Sequence, residues 1–193
     1  MALAVVFGAN GFIGRHVADA MRALPEMEVL GAGLGAPLAG LERHWLDVDL
    51  LADDGRLETE LRAAGPDYVV NCTGATGGTT AELIRLNVLT TAALLEALAR
   101  SGIRARLVHI GSAAEYGRGT IGQPVSETAP PRPMSPYGIA KLTAPSGPIS
   151  IRGVELARAS VRRRSAVLGS VPGGMSGPRA LNTRSTTAST PAS

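Results

Sequence analysis

Two groups of residues in this 193-residue chain have types and spacings that could do chemistry. The first is Tyr137 with Lys141. Residues four apart on a helix lie on one face, so an ammonium can stand beside a phenol. A neighbouring positive charge favours the phenolate and suits the tyrosine to give or take a proton at a carbinol or carbonyl carbon. An ordinary solvated helix face can carry the same pair, and composition separates the two readings. Of 19 basic residues 18 are arginine, and the single lysine is Lys141, where a compact ammonium rather than a guanidinium is wanted. The second group is GANGFIG, Gly8 to Gly14, with glycines three apart. A glycine-rich turn between a strand and a helix lets backbone amides approach a pyrophosphate, and the helix N-terminus adds partial positive charge. Close strand-to-helix packing is the competing use of such a turn. Its place at the start of the chain, between the right elements, favours the dinucleotide.

Those residues need a scaffold, and the apolar pattern supplies one. Residues 3–7 (LAVVF) form a short continuous apolar run, the mark of a strand buried on both faces of a parallel sheet. A helical spacing follows from Arg15 to Leu24 and ends at Pro25. Further strands are predicted at 27–32, 44–46, 67–73 and 104–110, with a surface helix between 47 and 65 and a two-sided apolar helix over 81–101. Strands alternating with helices of this length predict an α/β fold, a doubly wound and mostly parallel sheet. After Ala144 the texture changes. Residues 145–193 hold five prolines and no aromatic residue, and end in a Ser/Thr/Ala-rich stretch that cannot bury enough apolar surface to order itself. Only 153–161 (GVELARASV) reads as a strand there. The expected division is a dinucleotide-binding domain over 1–144 and a basic tail over 145–193.

Five stretches together resemble the extended short-chain dehydrogenase/reductases, of the NAD-dependent epimerase/dehydratase type that act on nucleotide-sugars. They are GANGFIG, VVNCTGA (69–75), LNVLTTAALLEA (86–97), HIGSAAEYG (109–117) and SPYGIAK (135–141), in this order and covering roughly the first 141 residues. The resemblance implies a Rossmann-like fold. It also implies that Ser112 orients the reacting oxygen, that Tyr137 transfers the proton, and that Lys141 tunes the tyrosine and bonds the nicotinamide ribose. It assigns Gly8, Asn10, Gly11, Phe12, Ile13 and Gly14 to the cofactor turn, Asp47 and Val48 to the adenine border, and Gly74 and Ala75 to the nicotinamide side. Asn87 would support the neighbouring loop. An acidic residue at the start of a helix is an equal reading of Asp47. The implied cofactor is NAD(P) and the implied partner a nucleotide-sugar.

Departures from the family pattern carry information of their own. NAD-preferring members place an acid about 20 residues beyond the glycine turn, whereas this chain has Gly31-Ala32-Gly33-Leu34-Gly35, which tilts the expectation toward NADP. Ala113 and Ala114 stand where the 4,6-dehydratases carry their eliminating acids. Glu115 before Tyr116 is closer to the reductase pattern, so a 4-keto-sugar reductase or an epimerase is favoured over a dehydratase. Pro145 and Pro148 interrupt the helix of Tyr137, which counts against the homodimer that the family builds through this helix and the one over 81–101. Family members continue for over a hundred residues to complete the sugar pocket. The Arg/Ser/Pro/Thr composition here suggests a reading frame ended early or shifted, and makes an inactive NAD(P)-binding relative the alternative expectation.

Charge follows the same division. Residues 1–144 carry 12 basic against 15 acidic side chains, while 145–193 carry seven arginines against Glu155. The Arg162–Arg164 run lacks interleaved aromatics, so a solvated basic tail is favoured over nucleic-acid binding. One cysteine, Cys72, excludes an internal disulfide and a cysteine-cluster metal site. Cys72 is expected to be a small buried apolar residue, and His16, His44 and His109 show no ligand spacing. No apolar run approaches the roughly 20 residues that span a bilayer, and no secretory signal pattern opens the chain. A cytoplasmic location is the expectation, with no membrane partner.

Overall fold

The computed structural model describes residues 1–52, 54–119, 122–126, 128–144 and the backbone of 154–159. Six strands, β1 (Ala2–Phe7), β2 (Met27–Gly33), β3 (Trp45–Asp47), β4 (Tyr68–Asn71), β5 (Ala105–Ile110) and β6 (Val154–Ala159), form one sheet in the order β3-β2-β1-β4-β5-β6. Every neighbouring pair is parallel. The fold is therefore the doubly wound α/β sheet that the alternation of patterns predicts.

β1 lies near the middle of the sheet, and its period of two sends side chains to both faces. Val5 and Phe7 join Val69, Leu94, Leu98 and Leu107 in one apolar layer. Val6 joins Ala18, Val29, Leu41 and Val70 in the other. Burial on both faces is why the run 3–7 has no polar alternation, and each fully buried large side chain contributes about 1.5–3 kcal/mol.

The helices are α1 (Phe12–Arg22), α2 (Arg56–Ala64), α3 (Thr80–Ile84), α4 (Thr90–Ser101) and α5 (Pro136–Thr143). α1 begins three residues before the predicted start, because the glycine turn feeds directly into it. The helix predicted over 81–101 is not one regular helix: a π turn at Arg85–Leu89 separates α3 from α4, with the Thr90 amide donating to the Arg85 carbonyl. α5 ends at Thr143, and Ala144 leaves the helical region (φ −53°, ψ 134°), as a residue before proline must. The GVELARASV reading holds for the backbone of 154–159, which pairs with β5 from Val154 opposite Ala105 to Ala159 opposite Ile110. Pro145, Pro148 and the Arg162–Arg164 run lie outside the described residues.

Candidate active site

The order of the sheet reverses between β1 and β4, so the loops leaving their carboxyl ends diverge and open a crevice. A cleft of about 330 Å³ occupies it, within the size range of ligand pockets. The glycine turn makes one side. Gly8 takes φ +73°, a left-handed conformation that favours glycine, and a side chain on Gly14 would overlap the Gly8 carbonyl, so α1 presses directly on the turn. Gly11 caps α1 and offers no side-chain acceptor, which leaves the first amides of the helix to the cleft. Asn10 donates from Nδ2 to the Leu34 carbonyl at 2.9 Å and so ties the turn to the loop after β2. Gly33, Leu34 and Val48 continue the lining. These features fit the pyrophosphate and adenosine portion of a dinucleotide.

A smaller pocket of about 80 Å³ adjoins the cleft, and Cys72, Thr73 and Gly74 line both. Ile13, Ala75, Gly111, Tyr137 and Lys141 complete it. Lys141 is only 5 % exposed, and its Nζ donates to the Ile110 carbonyl at 2.7 Å, which fixes the ammonium at the carboxyl end of β5. Burial lowers the pKa of Lys141 from the ordinary lysine value, and the nearby Cys72 sulfur opposes that shift. Burial likewise pushes the Cys72 thiol up to about 11, with the Lys141 charge acting in the other direction.

Most of the sequence-predicted residues line one of these places, while Phe12, Gly14, Asp47 and Ser112 line neither. Gly8, Asn10, Gly11, Val48 and Gly74 line the cleft; Ile13, Gly74, Ala75, Tyr137 and Lys141 line the smaller pocket. Phe12 is 75 % exposed and stacks edge-on with His16. Asp47 accepts the Gly35 amide at 3.2 Å and so braces the loop after β2. Ser112 follows Gly111 directly and caps a 3-10 turn, Ala113–Glu115; its Oγ accepts the Ala114 amide at 3.2 Å, and its own amide donates to Glu115 Oε1 at 2.7 Å. α5 packs on this turn backbone to backbone, because a Cβ on Gly138 would lie 2.6 Å from the Ala114 carbonyl oxygen. That contact packs the helix of Tyr137 against the turn that Ser112 caps.

The loop after β4 is held from below by buried polar side chains. Asn87 donates from Nδ2 to the carbonyls of Ala75 and Leu83, both at 2.9 Å, and holds the loop after β4 as the resemblance implies. Beneath that loop, Asn71 donates to Thr91 Oγ1 and pairs with His109 Nδ1 at 3.2 Å, while its Oδ1 accepts the Thr73 amide and hydroxyl. His109, expected to be unremarkable, is thus a fully buried member of a polar cluster. Cys72 does more than the sequence suggested: half-buried, it packs against the apolar layer of Val6 and Val70 and also lines both pockets. Only the single polar Asn in an otherwise apolar strand run signalled this cluster. Among the described residues, no group of three or more His, Cys, Asp or Glu could hold a metal ion, and no helix is long and apolar enough to cross a membrane.

The chain is 36% identical over 157 residues to a dTDP-6-deoxy-L-talose 4-dehydrogenase (NAD(P)(+)) of Kitasatospora kifunensis, covering 80% of this chain and 48% of that protein. It is 32% identical over 155 residues to a GDP-6-deoxy-D-mannose reductase of Pseudomonas aeruginosa, covering 73% of this chain and 44% of that one. Among solved structures, the UDP-glucuronic acid 4-epimerase of Bacillus cereus in complex with NAD superposes with a TM-score of 0.60 at 28% identity, over 75% of this chain and 49% of that one. The chain thus spans about half the length of the relatives it matches. The model of the NAD dependent epimerase/dehydratase family matches residues 4–152, a stretch that takes in both the glycine turn and the Tyr137–Lys141 helix, and to that family this chain belongs.

Proposed function

We propose that this chain binds NAD(P)(H) in the crevice, NADP favoured over NAD, and serves reduction or epimerisation at a carbon of a nucleotide-sugar, with 4-keto-sugar reduction favoured. The observation that carries this reading is the floor shared by the two pockets: Cys72, Thr73 and Gly74 join the dinucleotide cleft to the pocket of Tyr137 and Lys141. Cys72, Thr73 and Gly74 would hold the nicotinamide end of the cofactor, which would supply or accept the hydride. Tyr137 gives or takes the proton at the reacting oxygen, and Ser112, on the 3-10 turn that the Gly138 contact joins to α5, orients that oxygen. Lys141, anchored on Ile110, holds positive charge at this end of the sheet. The relatives named a 4-dehydrogenase and a reductase support oxidoreduction, the first of them at position 4 of the sugar. Ala113 and Ala114 give no side-chain acid for the elimination that a 4,6-dehydratase performs.

The preference for NADP rests on the end of β2. Gly33 and Leu34 line the cleft there, where an acid would pair with ribose hydroxyls; Asp47 accepts the Gly35 amide and does not line the cleft, and the carboxylate that does, Asp49, follows β3 rather than β2. The test is fluorescence titration with NADPH and NADH, followed by an assay of NADPH oxidation with nucleotide 4-keto-6-deoxy-sugars. Turnover that disappears in Tyr137→Phe, with cofactor affinity kept within about twofold, is the expected result. Turnover unchanged in that variant overturns the role of Tyr137. Tight cofactor binding with no turnover on any such sugar selects a binding function instead.

A further inference from the structure

The π turn places one cation where the glycine turn faces the cleft. Arg85 opens that turn and lines the cleft together with Gly8, Asn10 and Gly11, and Arg85 and Asp49 are the charged side chains among its lining residues. Arg85 forms no ion pair among the described residues, although arginines elsewhere on the surface do, such as Arg22 with Asp19 and Arg56 with Glu60. The backbone around it is built rather than loose. Thr90 and Thr91 return their hydroxyls to the carbonyls of Leu86 and Asn87, and Asn87 is locked by two further hydrogen bonds. Single π turns occur often at functional sites because they re-aim side chains out of the regular helical sequence. Here Arg85 and Leu86 line the cofactor cleft, and Asn87 lines the pocket of Tyr137.

We propose that Arg85 is a phosphate ligand of the dinucleotide, the cationic side chain that complements the amides of the glycine turn. This inference rests on the cofactor reading above. A bound dinucleotide brings two negative charges in its pyrophosphate and further charge in any 2′-phosphate. Backbone amides and a helix N-terminus contribute partial charges only, so a free guanidinium with a forked set of donors is the natural complement. The shared chemistry is phosphate recognition, and either phosphate is a possible source.

The experiment measures NADPH and NADH affinity by fluorescence titration of the whole chain for the parent sequence, Arg85→Gln and Arg85→Lys, at low and high salt. Arg85 is exposed, and circular dichroism confirms that the variants keep the fold. Loss of a charged hydrogen bond predicts affinity lower by roughly 10- to 100-fold in Arg85→Gln, partial recovery in Arg85→Lys, and a weaker salt dependence in Arg85→Gln. An equal loss for both cofactors supports the inference and assigns the pyrophosphate; a loss confined to NADPH supports it and assigns the 2′-phosphate. If the parent binds and Arg85→Gln matches it within twofold for both cofactors, the inference is overturned while the cofactor reading stands. If the parent binds neither cofactor, the cofactor reading fails and the inference with it.

Discussion

Cys72 lines both pockets and Lys141 the smaller one, and each alters the ionisation of the other. Burial is the larger influence on both, holding the thiol neutral up to about 11 and lowering the pKa of Lys141. The consequences for stability have opposite sign. The raised thiol pKa contributes stability that is complete below the ordinary value of 9.0 and is lost as pH climbs through about 11. The depressed lysine pKa acts the other way, and stability is regained as pH rises from its folded value to the ordinary 10.5. Because the two oppose, thiol labelling is a cleaner readout than denaturation. Alkylation by iodoacetamide, which requires the thiolate, is expected to rise with a midpoint near 11. A midpoint at or below 9 contradicts the burial of Cys72. At this scale the sequence showed the residues whose type is unusual for their surroundings: one lysine among arginines, glycines at fixed intervals, a tyrosine one turn before the lysine. Arg85 was one of 18 arginines, and only the π turn that carries it distinguishes it from the rest.

The elements were legible to the extent that their apolar spacing was regular. All five strands up to β5 and both crossover layers follow from period and length, and β6 from a short apolar stretch among polar neighbours. The π turn was hidden, because the leucines of residues 83–98 fit a continuous helix and one added residue per turn leaves no mark in composition. Gly138 was equally silent, since a glycine inside a helix reads as a weakness until its neighbour is known. Its neighbour is the Ala114 carbonyl, and the absence of a Cβ lets α5 reach the 3-10 turn of Ser112. Gly138→Ala is therefore expected to push α5 away, although alanine is the better helix former. Overpacking of this kind costs about 1–3 kcal/mol, measurable by urea denaturation. On the proposed function, turnover also falls more than cofactor affinity, because Tyr137 moves relative to Ser112 while the glycine turn is untouched. A stability gain with unchanged turnover would show that the contact is dispensable.

Across the sheet as a whole, the cleft draws its walls from both halves of the fold. The turn after β1, the end of β2 and Val48 come from one side of the reversal, while Thr73, Gly74 and Arg85 come from the other. Separating β1 from β4 destroys the cleft, so a ligand held there resists the separation of the two halves. Binding to the folded form alone stabilises it by about 2.7 kcal/mol at a free ligand concentration of 100 times Kd. For a chain of this size that corresponds to a rise in Tm of roughly 5 to 11 °C. The rise is expected with NADPH, to be smaller with NADH at the same concentration if the β2 end selects as proposed, and to shrink in Arg85→Gln in proportion to its lost affinity. Thermal denaturation followed by circular dichroism at increasing cofactor concentration checks all three. Fluorescence-detected binding with no rise in Tm would mean that the dinucleotide binds the unfolded chain as well as the folded one, and that the cleft between β1 and β4 is not its site.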